Sequence, residues 1–231
     1  MSDVYKNQTG IVDIEMFNYL KIAIVGVGSI GSFLAIALNK LGFKNIILID
    51  DDIVEEHNPT TQFYFPSDVN KTKVTALSHY LKGNVSTYKA KVTSKNKIDA
   101  DIVFLCVDSL VARKVITKAI LESYLEFKRP KLIIDGRMHR LIFSVYTIRL
   151  DDQKLMNKYV QSTMEESFEG NCTEKGIIQN IFGVVGVMIE QLKKTLNGED
   201  YNAIIECDFE RLVFITSEEK TFKKVKKGSK Q

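Results

Sequence analysis

Three glycines with the spacing of a phosphate-binding loop lie near the start of the chain, in Gly26-Val27-Gly28-Ser29-Ile30-Gly31. They follow a short apolar run at residues 21–25, and a helical pattern begins directly after them. In such a loop the backbone N–H groups and the positive end of the helix face phosphate oxygens, and glycine has no Cβ to block their approach. The loop therefore predicts nucleotide binding, with a tight packing turn as the alternative.

Three aspartates, Asp50, Asp108 and Asp135, come at or just after the end of an apolar run that predicts a strand. In an open parallel sheet, ligands bind beyond the carboxyl ends of the strands, so we expect these side chains at the ligand-binding edge. Asp50 lies 19 residues after Gly31, where a carboxylate accepts the ribose hydroxyl groups of a nucleotide.

Asp108 favours one kind of nucleotide. Carboxylates beside a pyrophosphate repel it unless a cation lies between them, so Asp108 predicts Mg²⁺ bound to a triphosphate. The alternative is that Asp108 caps the helix that begins near Ser109. Lys73, on a helix predicted from about Asp68, could direct its ammonium group at the same phosphates, although a single lysine on a helix is usually solvated.

The first half of the chain alternates strand patterns with helical patterns. This alternation predicts an α/β fold with a Rossmann-like, doubly wound and mostly parallel sheet. The predicted strands are 21–25, 46–49, 102–105 and 132–134, and the predicted helices are 29–41, 70–82 and 109–127.

The C-terminal half has a different pattern. Strand patterns at 141–148 and 211–215 predict an antiparallel extension of the sheet. A long apolar helix at 177–196 carries Gly183 and Gly186, which we expect to let a neighbouring element pack closely.

The composition, with 45% hydrophobic and 26% charged residues in a chain of 231, is that of a globular protein. Three cysteines without CxxC spacing argue against a four-cysteine zinc site and a disulfide framework. The chain has no apolar run long enough to span a membrane, and its N-terminus lacks a secretory signal. We therefore expect a cytoplasmic protein that does not bind membranes.

The charge is unevenly placed along the chain. Six lysines lie in the last twelve residues, which contain no acid, so the rest of the chain carries a net charge of −3 although the whole chain carries +3. We therefore expect no nucleic-acid partner. The predicted organisation is one domain at residues 1–219, followed by a basic disordered tail at 220–231.

The ordered motifs resemble those of the family of ThiF, MoeB and the ubiquitin-activating enzymes, over about residues 7–198. Besides the glycine loop, residues 48–58 are similar to the family's DxDxVxxxN, and residues 106–109 are similar to its CTDN. Lys73 and the glycine-bearing helix at 176–196 complete the match. The resemblance implies adenylation of the C-terminus of a ubiquitin-like or sulfur-carrier protein, in a ThiF-type adenylation domain that uses ATP and Mg²⁺.

The resemblance also implies roles for individual residues. Asp108 would hold Mg²⁺ and Lys73 would contact phosphate, so both would be catalytic. Cys172 is the third catalytic candidate, because members of the family carry a cysteine there that can bond to the carrier protein; an inert thiol is the alternative. The resemblance implies nucleotide contacts for Gly26, Gly28, Ser29, Gly31, Asp50, Asp52, Asn58, Gln62 and Lys73.

The sequence departs from the family at two arginines and at a zinc motif. Thr61 stands where the family has an arginine three residues after the Asn of DxDxVxxxN, and no arginine precedes Arg113 to match the family's N-terminal one. Such cations stabilise the charge that builds on the α-phosphate by about 2–4 kcal/mol each. Lys6, Arg137 or a partner chain is the candidate replacement. The paired CxxC zinc motif of many members is also absent.

Three functions are compatible with these residues. The first is the adenylyltransferase, working as a homodimer or as part of a heterodimer. The second is a catalytically impaired subunit of such a heterodimer, which the missing arginines favour. The third is an NAD-dependent oxidoreductase, which explains the glycine loop and Asp50 but gives Asn58, Lys73 and Asp108 no role.

Overall fold

The computed structural model describes residues 19–165 and 178–220 of the chain. Its strands are β1 (Lys21–Val25), β2 (Asn45–Ile49), β3 (Asn84–Tyr88), β4 (Ile102–Leu105), β5 (Leu132–His139), β6 (Ile142–Arg149), β7 (Tyr201–Asp208) and β8 (Val213–Lys220). Its helices are α1 (Ser29–Leu41), α2 (Lys73–Ser78), α3 (Leu110–Phe127), α4 (Gln153–Glu165) and α5 (Ile178–Asn197). None of these described helices is at once long enough and apolar enough to cross a membrane.

The eight strands form one sheet in the order β3-β2-β1-β4-β5-β6-β7-β8. Neighbouring strands from β3 to β5 run parallel, whereas β6, β7 and β8 are added antiparallel. The strand order reverses between β1 and β4, and such a switch point is where open α/β sheets bind their ligands. The predicted mostly parallel sheet with an antiparallel extension is confirmed.

The strand register decides which loops meet at the switch point. The last residue of β1 is paired with the last residue of β2 on one side and with the last residue of β4 on the other. The next residues along the chain are Gly26, Asp50 and Cys106. These three residues therefore lie side by side at the carboxyl edge of the sheet.

Each face of the sheet has its own hydrophobic core. On one face α1, α2 and α5 cover fully buried strand residues such as Ile24, Leu48 and Phe104. On the other face α3 and α4 cover Val103 and Ile133. Alternate side chains of a strand point to opposite faces, so burial on both faces requires the continuous apolar runs seen in the sequence. The two cores fix the strand ends from which the site is built.

Of the two glycines singled out in α5, one has the predicted packing role. A Cβ at Gly183 would lie 2.5 Å from the ring of Phe209, so the helix packs against this ring only because residue 183 has no side chain. A Cβ at Gly186 would have no neighbour within 4 Å among residues 19–165 and 178–220.

Asp135 does not end a strand, and the prediction that it does is wrong. It lies inside β5, fully buried, because β5 continues to His139. The antiparallel β6 pairs with β5 from Leu132 to His139 and so extends the strand beyond the parallel part of the sheet. Asp135 pairs with Leu105, the last residue of β4, but its side chain is fully buried in the core and is not exposed at the ligand-binding edge.

Other boundaries also differ from the predictions. Helix α2 begins at Lys73, capped by the hydroxyl of Thr72, because a 3₁₀ turn at Pro66–Asp68 and a positive φ of 71° at Asn70 precede it.

The sequence pattern missed β3, β7 and α4, whose residues are more polar than those of the buried strands. Lys220 ends β8, and the rest of the predicted tail, 221–231, lies outside the described residues.

Candidate functional site

The glycine loop joins β1 to α1 and contacts the ends of both neighbouring strands. Gly26, with a φ of +86°, donates its N–H to the carbonyl oxygen of Ile49 at 2.9 Å. A Cβ at Gly26 would lie 2.8 Å from the carbonyl oxygen of Cys106. Glycine is required here because other residues rarely adopt this φ and because the strand end leaves no room for a side chain.

Gly28 and Gly31 have different surroundings. A Cβ at Gly31 would lie 1.9 Å from the carbonyl oxygen of Gly26, so this glycine allows α1 to pack against its own loop. A Cβ at Gly28 would lie more than 4 Å from the other side chains and loops that the structure describes. Gly28 is the N-cap residue of α1 and has no side chain that could accept from the N–H groups of the first turn. These N–H groups can therefore donate to a ligand such as phosphate.

Asp50 joins the acidic motif to the glycine loop. Its Oδ2 accepts the N–H of Val27 at 2.7 Å, and its Oδ1 accepts the N–H of Asp52 at 2.9 Å. Burial raises the pKa of Asp50, and the two backbone donors and nearby Lys73 partly offset this rise. Each carboxylate oxygen keeps a lone pair, so the fixed side chain can still accept from a ribose hydroxyl.

Lys73 is not the solvated lysine of the alternative interpretation. Its side chain is 9% exposed, and its Nζ lies 2.7 Å from Oδ2 of Asp52. Its backbone N–H donates to the carbonyl oxygen of Asp52 at 3.0 Å. These two contacts hold the ammonium group beside the acidic motif.

Asn58 and Gln62 lie in the loop between β2 and α2. Asn58 is buried, with its Oδ1 accepting the N–H of Glu55 at 2.9 Å and its Nδ2 lying 3.1 Å from Nε2 of His57. Oε1 of Gln62 is buried and has no hydrogen-bond partner in the described part of the chain, which leaves an acceptor for a ligand. Thr61, which replaces the family arginine, donates its N–H to the carbonyl oxygen of Asn58 at 3.1 Å.

Asp108 is exposed beyond the end of β4. It is not the cap of α3: Ser109 holds that position, and its Oγ accepts the N–H of Ala112 at 3.3 Å. Within residues 19–165 and 178–220, one group of three acids is close enough to share a metal ion, with carboxylate oxygens within 4.8 Å of one another, and it comprises the run 50–52 without Asp108. The metal-binding role of Asp108 therefore stays a prediction.

Two residues that shape the site were missed from the sequence. Tyr64 is buried and donates its hydroxyl to the carbonyl oxygen of Val27 at 2.7 Å; burial raises the pKa of this hydroxyl, so it stays protonated. Arg113 donates to the carbonyl oxygen of Val107. Tyr64 lies in a loop, where a tyrosine gives no sequence signal. Arg113 lies about one turn into the helix that follows Asp108, and this spacing could have indicated a role near Asp108.

Arg137, a candidate replacement for the missing arginines, is engaged inside the fold. Its Nε donates to Oδ2 of Asp135 at 2.9 Å, and its guanidinium carbon lies 4.1 Å from the centre of the Tyr146 ring. This ion pair uses Nε, which is one of the five N–H donors of the guanidinium. Lys6, the other candidate, lies outside the described residues.

Two of the three cysteines lie in the described part of the chain, and one lies outside it. Cys106 and Cys207 are buried, as predicted. Burial raises the pKa of Cys106 to about 12, which keeps it a protonated and unreactive thiol at neutral pH. Cys172, the predicted reactive cysteine, lies outside the described residues.

One cavity of the described residues does not coincide with this site. Its volume is about 570 Å³, and residues such as Leu20, Ile102 and Leu132 line it at the starts of β4 and β5. The glycine loop, Asp50 and Cys106 lie at the ends of the parallel strands, so the candidate site is an open edge at the opposite end of the sheet.

The order and placement of these residues are those of a known family. The family model described as ThiF family matches residues 7–231. The chain belongs to the ThiF family. The match confirms the family that the motifs indicate, and it extends beyond the region of resemblance to the C-terminus of this ThiF-family chain.

Curated relatives are similar over part of their length. The ubiquitin-like modifier-activating enzyme 5 of Oryza sativa subsp. japonica is 33% identical over 133 residues, which are 48% of this chain and 32% of that protein. The enzyme of the same name from Dictyostelium discoideum is 29% identical over 158 residues, 58% of this chain and 42% of that protein. The match thus spans about a third to two fifths of the length of these relatives.

Solved structures share the fold of this ThiF-family chain. PaaA superposes with a TM-score of 0.68 at 19% identity, over 89% of this chain and 74% of that chain. E. coli MccB, solved with ATP, superposes with a TM-score of 0.66 at 16% identity, over 89% of this chain and 65% of that chain. At these identities the likeness shows the fold alone.

Proposed function

We propose that this protein is an ATP- and Mg²⁺-dependent adenylyltransferase that activates the C-terminal carboxylate of a ubiquitin-like or sulfur-carrier protein. The observation that carries the proposal is the joint placement of the glycine loop, Asp50 and the strand end before Asp108 at the switch point of the sheet. Membership of the ThiF family and the likeness to ubiquitin-like modifier-activating enzymes support it.

The described residues fit ATP and Mg²⁺. The space beside Gly28 is open where a Cβ would lie, and the fixed carboxylate of Asp50 suits a ribose. Carboxylate oxygens are the ligands that Mg²⁺ prefers, and Asp108 and the run 50–52 supply them at the sheet edge. Bound Mg²⁺ would neutralise charge on the phosphate oxygens. Asp108 would hold it, and Asn58, Gln62 and Lys73 would contact the nucleotide.

In the proposed reaction a carboxylate oxygen of the carrier attacks the α-phosphorus, and pyrophosphate leaves. This step needs no side-chain nucleophile, so the chain acts by positioning the two reactants and by stabilising charge. The glycine loop and the first turn of α1 would hold phosphate oxygens. The ammonium group of Lys73, already held at the site by Asp52, would face the developing charge.

A second candidate function is a subunit with impaired catalysis in a heterodimer of ubiquitin-activating type. Thr61 in place of the family arginine favours it, because a hydroxyl supplies no charge to the α-phosphate. In the adenylyltransferase, a partner chain, from a second copy or from another subunit, would supply the missing cation.

ATP–pyrophosphate exchange separates these two candidates. We expect the purified chain with ATP, Mg²⁺ and candidate carrier proteins to exchange labelled pyrophosphate into ATP in the presence of one carrier and not without it. A carrier with a truncated C-terminus is the control. ATP binding with no exchange for any carrier would favour the impaired subunit.

Calorimetry tests the NAD-dependent oxidoreductase. We expect ATP with Mg²⁺ to bind and NAD not to bind, because Asp108 has a role only beside a metal-bound triphosphate. ATP with a chelator is the control for the metal. Tight binding of NAD without a response to ATP would overturn the assignment.

Lys73→Met is expected to weaken ATP binding by about tenfold while the stability of the protein changes little. Asp52 is 63% exposed, so it stays solvated when its partner is removed, and such pairs contribute at most about 1 kcal/mol. Calorimetry and urea unfolding of the same sample measure both effects. Lys97→Met, which breaks an ion pair with the exposed Glu126, is the matched control. Equal ATP affinity in wild type and Lys73→Met contradicts the phosphate role.

Cys172→Ser is expected to separate two steps of the proposed reaction. Pyrophosphate exchange should continue, because adenylation uses the carrier carboxylate as nucleophile. A reducible covalent complex with the carrier should disappear on a non-reducing gel. If the serine variant still forms that complex, or if no adenylated carrier forms it with the wild type, Cys172 has no capture role.

A further inference from the structure

A buried ion pair lies behind the strand end that carries Asp108. The side chain of Arg113, on α3, is 3% exposed, and that of Asp135, on β5, is fully buried. A buried ion pair contributes little net stability, because removing both charges from water offsets their attraction. The presence of the ion pair is therefore better explained by the groups that it holds in place than by the stability that it adds.

The guanidinium of Arg113 bridges two partners. One terminal nitrogen donates to Oδ1 of Asp135, and the other donates to the carbonyl oxygen of Val107. Because a guanidinium is planar and its donors form a rigid fork, the position of the carboxylate fixes the position of the second donor. Asp135 is itself held by Nε of Arg137 at 2.9 Å and by the hydroxyl of Tyr159 at 3.0 Å.

The contact with Val107 reaches Asp108 through one peptide unit. The carbonyl of Val107 lies in the same rigid plane as the N and Cα atoms of Asp108. On the other side of Asp108, Ser109 caps α3, and its carbonyl oxygen accepts the backbone N–H of Arg113 at 2.9 Å. The Asp108 backbone is therefore held before and after the residue, while its side chain is exposed at the sheet edge.

We propose that Arg113 is a positioning residue that sets the place of the Asp108 carboxylate, and that Asp135 orients Arg113. The proposal rests on the adenylyltransferase function. Arg113 acts through the peptide unit between Val107 and Asp108. A displacement of about 1 Å in an active site lowers a rate by up to about 100-fold, and this sets the size of the expected effect.

Arg113→Lys is the variant that tests the proposal. Lysine keeps a positive charge beside Asp135 but lacks the fork that also reaches Val107. We expect pyrophosphate exchange at saturating ATP to fall about 10- to 100-fold, with the KM for ATP changed by less than about threefold. Arg149→Lys is the matched control, because it makes the same change in an ion pair with Asp151 at the opposite edge of the sheet; its rate should stay within about twofold.

A double variant separates positioning from a general structural effect. If Arg113 acts through Asp108, Arg113→Lys should slow exchange no further once Asp108→Ala is present. An additive loss in the double variant, or a rate for Arg113→Lys equal to that of the wild type, overturns the proposal.

Crystal structures of the wild type, Arg113→Lys and Arg149→Lys supply a measurement that does not depend on activity. We expect the Cα of Asp108 to move by about 1 Å in Arg113→Lys and to stay in place in Arg149→Lys. If the wild type shows no exchange, the proposed function fails and the position of Asp108 alone decides the inference. If Arg113→Lys does not fold, Asp135→Asn is the second variant, and an unmoved Asp108 in it overturns the proposal.

Discussion

Asp108→Ala is expected to lower the rate of pyrophosphate exchange by about 10³-fold and to leave the protein folded. The side chain is exposed and α3 keeps its cap at Ser109, so the substitution leaves the buried core and the helix cap in place. The expected loss comes from the missing carboxylate ligand beside the phosphates. Exchange assays over a range of Mg²⁺ concentrations, with thermal unfolding of the same sample, measure both parts of the result.

Asp151→Ala is the matched control for this variant. Asp151 is also an exposed aspartate, but it lies at the opposite edge of the sheet, paired with Arg149. We expect its exchange rate and Mg²⁺ dependence to equal those of the wild type. An Asp108→Ala protein that is unfolded, or that works normally with Mg²⁺, shows the metal assignment to be wrong.

Substitutions at Gly31 and Gly28 are expected to have opposite effects. Gly31→Ala places a Cβ 1.9 Å from the carbonyl oxygen of Gly26, and this clash is with backbone that cannot move without shifting the loop. We expect the free energy of unfolding to fall by about 3 kcal/mol or more. Gly28→Val places its side chain where the chain leaves open space, so stability should stay close to that of the wild type while ATP binding is lost.

Urea unfolding and calorimetry of the two variants provide the measurement, and each variant controls for the other. Gly28→Ala is a further step in the same series, since its smaller side chain should weaken ATP binding less than valine does. Unchanged ATP affinity in a folded Gly28→Val protein would falsify the assignment of the loop. A fully stable Gly31→Ala protein contradicts the loop geometry.

The sequence predicted the parts of the fold that depend on local pattern. Helix α1 has the predicted bounds, Ser29–Leu41, because apolar residues at helical spacing are followed by Gly42 in a left-handed C-cap with a φ of 110°. The buried strands were found because burial on both faces requires continuous apolar runs. β3 was missed because it is a polar strand at the edge of the sheet that the described residues form, where it pairs with β2 on one side.

The residues of the candidate site also fall into those that a local pattern predicted and those that it missed. The glycine loop, Asp50 and Lys73 were found because their chemistry follows from residue type at short sequence distance. Tyr64 was missed because the hydroxyl reaches a carbonyl 37 positions away in the chain. No local pattern encodes a contact of that range, since it exists only after the loop packs against the sheet.

By itself, the sequence predicted the chemistry proposed for this chain, with a glycine loop for phosphate, a carboxylate for ribose and an acid after β4, and it indicated the family that the family model confirms. Only the tertiary structure decided which charged groups face solvent. Asp108 and Asp135 have similar sequence surroundings, yet one is exposed and the other buried. The physical reason is that β6 pairs along β5 and carries the sheet past Asp135, while α3 and α4 close over it and supply Arg113 and Tyr159 as partners.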